Sequence, residues 1–130
     1  MKVILPAGWP RPKGYANGVL ASGKTLFIAG MIGWDANGQF HSDEFAVQAR
    51  QALKNLADVL REAGGVPENI VRMTWYVTDK REYLAASREV GQAFREIIGA
   101  YNAAMTAVEV KSLMEDRAKV EIEATAVLPE

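Results

Sequence analysis

Apolar and polar positions along this chain switch between a two-residue and a helical period, and the switches divide it into elements. Near the end, Thr106, Val108 and Val110 alternate with Met105, Ala107, Glu109 and Lys111, the period of a strand. After the polar stretch Met114 to Arg117 the alternation resumes, with Val120, Ile122, Ala124 and Ala126 on one side and Lys119, Glu121, Glu123 and Thr125 on the other. Two strands so close in sequence predict an antiparallel pair, which would bring Met105, Ala107, Glu121 and Glu123 toward one end of a sheet. Any chemistry is expected there.

The earlier chain reads in the same way. Lys2 to Leu5 suits a short strand stopped by Pro6, and Ala7 to Gly14 is a Pro- and Gly-rich loop. Tyr15–Leu20 and Thr25–Ile32 predict two strands around the four-residue hairpin connection Ala21 to Lys24. In the second, Leu26, Ile28 and Ile32 face one way and Phe27, Ala29 and Met31 the other, so both faces need cover. Gly30 and Gly33 interrupt it where a bulge or a close backbone approach is expected. From Ser42, a candidate N-cap, the period becomes helical: Phe45, Ala49, Ala52, Leu53, Leu56, Val59, Leu60 and Ala63 form one stripe, stopped by Gly64 and Gly65. Ile70 to Thr78 alternates as a strand, and Asp79 opens a second helix with Leu84, Ser87, Val90, Gly91, Phe94, Ile97 and Ile98 inward.

The order strand, strand, helix, strand, helix, strand, strand predicts an α+β fold, a mixed β-sheet with two helices on one face. The row Phe27, Ala29, Met31 would then lie bare on the other face, and other copies of the chain are expected to cover it.

Composition narrows the function. With 130 residues the chain is expected to form a single domain over 1–130, and 15 Lys plus Arg against 16 Asp plus Glu leave a net charge of −1 with no block of one sign. Nucleic acid and anionic membrane surfaces, which are met by concentrated positive charge, are therefore poor partners. The absence of cysteine removes disulfides, thiolate metal sites and a Cys nucleophile. No apolar run reaches the roughly 20 residues of a membrane span, and MKVILPAGWP is a poor signal peptide. A soluble, cytoplasmic protein is expected. His41, the single histidine, follows a turn and suits an exposed loop residue; it leaves no pair for a metal site and no shared base for a Ser-His-Asp triad. No Gly-rich phosphate loop occurs, and no cofactor is expected.

Several segments together resemble the RidA/YjgF family, also labelled endoribonuclease L-PSP. They are PKGYANGV at 12–19, FIAGMIG at 27–33, QARQALKNLADVLREAGG at 48–65, IVRMTWYVTD at 70–79, and VEVKSL with KVEIEATAV near the end. The resemblance covers Pro12 to Val127 and implies a chorismate-mutase-like fold, a homotrimer whose sheets line a central barrel, and small-molecule clefts between neighbouring subunits. It also implies hydrolysis of reactive enamines and imines to a 2-oxo acid and ammonia. In that pattern Tyr15 matches a Tyr that closes the cleft and Gly30 a glycine of the second strand. Ser87 falls where an Asn is common, Ala107 supplies backbone, and Glu121 matches the Glu that positions the attacking water.

One member of the pattern is missing. Ala103, Ala104, Met105, Thr106 stand against Pro-Ala-Arg-Ser, so the thioether of Met105 replaces a guanidinium that grips the substrate carboxylate. The resemblance thus implies either a hydrolase with an altered substrate class or a trimer that kept its clefts as a small-molecule-binding or scaffold protein. Each residue also has a plain reading. Glu121 and Glu123, about 7 Å apart along one strand face, can be two solvated carboxylates, Met105 can fill space, and Tyr15 can pack. Trp75 suits the core, while Trp9 and Trp34 lie in loops that could border the cleft. Without a basic patch or a histidine pair, the ribonuclease label has little support in the residues.

Overall fold

A computed structural model describes residues 1–99 and 103–130. Its main sheet holds β3 (Lys24–Ile32), β4 (Ile70–Val77), β5 (Ala104–Glu109) and β6 (Val120–Leu128) in the order β3-β6-β4-β5. β6 runs antiparallel to both of its neighbours, and β5 runs parallel to β4 at the edge. A separate antiparallel ribbon joins β1 (Lys2–Ile4) to β2 (Gly18–Leu20).

Both hairpins expected from the sequence are absent. β5 and β6 are not neighbours: the connection between them carries β6 past β4 into the middle of the sheet, where Val120, Ile122, Ala124 and Ala126 are all buried. Alternation within a strand fixes its faces but not its partners, and the strand with the fully buried row takes the centre. β2 likewise pairs with β1 in the separate ribbon, which leaves β3 at the edge of the main sheet with β6 beside it. Gly23 makes the passage from ribbon to sheet at φ +146°, lying against the Leu128 carbonyl where a Cβ would collide.

α1 (Phe45–Glu62) buries Phe45, Gln48, Ala49, Ala52, Leu53, Leu56, Ala57 and Leu60 against the sheet. Leu53, Leu56 and Leu60 are wholly enclosed, each contributing about 1.5–3 kcal/mol by leaving water. Ser42 is not the cap residue; Glu44 is, and the Ser42 hydroxyl, two residues earlier, accepts its N–H at 2.9 Å. Val59, expected on the buried stripe, is exposed at its margin. Two amides in α1 fasten other elements. The buried Gln48 donates to the carbonyls of Ser42 and Arg117, both at 3.0 Å, and accepts from the Lys119 N–H at 2.8 Å. Asn55 donates to the carbonyls of Ile32 and Trp34 at 3.0 and 2.7 Å.

The second helix is two helices, α2 (Lys80–Ala85) and α3 (Ser87–Ile97), divided at Ala86. Asp79 caps α2 by accepting from the N–H of Arg81 at 2.8 Å. At the break, the Ser87 hydroxyl donates to the Leu84 carbonyl at 2.7 Å, a local bond that competes with continued helix. The break also turns Leu84 outward, against expectation. All three helices lie on the sheet face that carries Ile28, Met73, Trp75, Val77 and Ile122, and these form one core with Val90, Ala93 and Phe94 of α3. The other face is open, and Phe27 on it is 79% exposed. No helix among the described residues is long and apolar enough to cross a membrane.

Candidate active site

The edge strand β5 forms one side of a cavity of about 580 Å³. The N-terminal loop closes a second side, held in place by a hydrogen bond from the Ala16 N–H to the Ala103 carbonyl at 2.9 Å and a parallel bridge between Ala16 and Ala104. That tether brings Lys13 and Tyr15 to the cavity wall. Ser87, Val90 and Phe94 line it from the first turns of α3, and Met105 and Ala107 from β5. Trp75 and Tyr83 complete it, their rings tilted against one another at 6.2 Å between centroids. Trp75 is 4% exposed, and its indole N–H has no hydrogen-bond partner among the described residues. Met105 registers with Met73 across β4 and packs on the core, so the wall behind the cavity is apolar.

A second cluster occupies the open sheet face. β3 shifts register between Ile28 and Met31, and in that irregularity Gly30 leaves room for the Glu121 side chain, whose carboxylate lies where a Cβ on residue 30 would be. Beside it the Tyr76 hydroxyl donates to Glu123 Oε1 at 2.6 Å. This bond raises the Tyr76 phenol above its ordinary pKa, helped by partial burial and the negative charges of Glu123 and Glu121, with Arg72 opposing. Among the described residues no group of three His, Asp or Glu side chains could hold a metal.

Residues 10–128 match the family model described as Endoribonuclease L-PSP. The chain belongs to that family, the RidA/YjgF proteins. A RutC family protein of Synechocystis is 40% identical over 131 residues, covering 99% of this chain and 98% of the relative. The human 2-iminobutanoate/2-iminopropanoate deaminase is 32% identical over 128 residues, covering 97% of this chain and 89% of the relative. Among solved structures, a Rid-family protein of Yersinia pestis has a TM-score of 0.84 at 36% identity, covering 98% of each chain. The α+β architecture is the family's.

Within one chain the six site residues that the family resemblance singles out fall into two groups. Tyr15, Ser87, Met105 and Ala107 surround the cavity. Gly30 and Glu121 meet each other on the open face. The expected meeting of Met105 and Ala107 with Glu121 and Glu123 does not occur in a single chain: Met105 and Ala107 register with Met73 and Trp75 on the helix side, whereas Glu121 and Glu123 register with Tyr76 and Thr74 on the other. Glu123 is engaged by Tyr76, and Lys119 is paired with Glu82 at 2.9 Å, leaving Glu121 clear of that lysine. Trp9 and Trp34 do not line the cavity; Trp9 is exposed and Trp34 packs on Phe40 at 6.0 Å. His41 is exposed and bonds to Asp35 at 2.7 Å, and the Asp35 carboxyl is held below its usual range by the backbone N–H of Gln39, then by His41 and the N–H of Asn37. Sequence reasoning missed Lys13 and Tyr83. The position of Lys13 two residues before Tyr15 was the one available signal.

Proposed function

We propose that the protein hydrolyses a small reactive imine or enamine, working as a homotrimer in which the cavity of one chain is completed by the open face of its neighbour. Tyr15, Ser87, Met105 and Ala107 would then come from one copy and Gly30 and Glu121 from the next. The observation that carries this reading is the Glu121 carboxylate seated over Gly30, unbonded to Tyr76 or Lys119 and directed to a face that a second copy can reach. The human relative's name, a deaminase of 2-iminobutanoate and 2-iminopropanoate, supports the reaction class.

In this reading Glu121 accepts a proton from a bound water as the water oxygen adds to the imine carbon. The C=N electron pair passes to nitrogen, which takes up a proton. The resulting carbinolamine loses ammonia as its hydroxyl becomes the carbonyl of a 2-oxo acid, so one water is consumed and one ammonia released. Met105 offers no charge to a carboxylate at its side of the cavity, which moves substrate preference toward a group that is apolar there.

The test is an assay with freshly generated 2-iminopropanoate. Slow turnover is expected, with Met105→Arg raising it by about tenfold or more, the equivalent of one charge-assisted hydrogen bond. A wild-type rate matching that of the human deaminase would show that residue 105 does not govern recognition of the acid. The second reading is a non-catalytic binding trimer, favoured by the separation of Glu121 from the cavity in the single chain. Retained ligand binding together with identical background hydrolysis in wild type and Glu121→Gln would decide for it.

A further inference from the structure

Among the described residues lining the cavity, Lys13 alone carries a formal charge. Its ammonium has no carboxylate partner among the described residues. It is also exposed, whereas Trp75, Val90 and Phe94 are buried at the base of the same cavity. The site is therefore amphiphilic, with a cation at the rim and an apolar floor that includes the Met105 thioether. A carboxylate directed at that floor would meet no donor from Met105, since a thioether has none. At about 580 Å³ the cavity is also roomier than a three-carbon acid requires and within the range of drug-sized ligand sites.

We infer that Lys13 is the specificity-determining cation of this cavity: it takes the carboxylate of a 2-imino or 2-oxo acid at the rim while a large aromatic or branched side chain lies against Met105, Trp75 and Phe94. The imino form of the ligand rests on the hydrolase reading above; the binding polarity does not.

Calorimetric titration of the full chain with phenylpyruvate, its methyl ester and pyruvate tests the assignment. The acid is expected to bind about fivefold or more tightly than its ester, at the upper end for an exposed ion pair, and more tightly than pyruvate. Lys13→Gln should abolish the difference between acid and ester without changing the affinity for the ester, and Lys13→Arg should keep it. Added salt should weaken acid binding to wild type but not to Lys13→Gln. Equal binding of acid and ester by wild type, an acid preference that survives in Lys13→Gln, or no saturable binding of phenylpyruvate overturns the inference. Hydrolysis of the corresponding imine, measured in parallel, separates the two readings. Lys13-dependent binding without turnover removes the hydrolase and leaves Lys13 in its role. Turnover with an unchanged KM in Lys13→Gln does the reverse.

Discussion

Glu121 and Glu123 stand two residues apart on one strand, yet the structure gives them different work. Glu123 accepts the Tyr76 hydroxyl at 2.6 Å, so it is held, whereas Glu121 lies over the space left by Gly30. The raised phenol pKa of Tyr76 follows first from that hydrogen bond, then from burial and the adjacent negative charges. A group whose pKa is higher folded than unfolded contributes stability that is complete below its unfolded value, about 10 for tyrosine, and is lost as pH rises through the folded value. An ultraviolet titration should therefore show the Tyr76 phenol ionising above its ordinary range, and Glu123→Gln should return it toward that range. If the variant leaves the titration curve unchanged, the shift does not come from Glu123. Sequence alternation placed the two carboxylates on one face; it could not tell them apart, because the difference lies in Tyr76 and Gly30, which are supplied by other strands.

At the scale of elements, α1 carries more than its apolar stripe. Gln48, 1% exposed, bonds to the segments before the helix and before β6, and Gly33 packs so close to it that a Cβ there would come within 2.6 Å of the Gln48 Cβ. Gln48→Ala strands one part-buried N–H and two carbonyls, so urea unfolding should show a loss of about 2–3 kcal/mol. A loss under about 0.5 kcal/mol, the level of an ordinary surface change, would show that water replaces the amide. The helix itself was legible, since its 3.6-residue stripe is long and regular, and so were β4 and the faces of β6; β3 was legible only as far as Ile28, because its register shift turns Met31, expected on the bare face, onto the core. Strand pairing was not. The expectation that β5 and β6 form a hairpin rested on their closeness along the chain, but the buried row of β6 needs partners on both edges, and β4 and β3 provide them. That single topological difference also explains why four of the candidate residues share a cavity while Glu121 and Gly30 lie on the far side of the sheet.

For the whole molecule, the open face is the remaining question of association. Phe27, 79% exposed, and Val108, 40% exposed, belong to a sheet face that no helix among the described residues covers. Burying a phenylalanine contributes about 1.5–3 kcal/mol, and a symmetric assembly gains this at every copy. The two halves of the candidate site lie on opposite faces of one sheet, so they can meet only between chains. Light scattering of the wild type should therefore give the mass of three 14.2-kDa chains. Phe27→Glu should give a folded single chain, because Phe27 is not among the residues of the core. Imine hydrolysis should fall with association while the circular dichroism of the fold is preserved. A wild-type mass of one chain would leave Glu121 without a cavity to act on, and a Phe27→Glu protein that still associates and turns over would move the interface away from this row of the sheet. The linked loss of mass and activity discriminates because neither half of the site is altered by the substitution; only their meeting is.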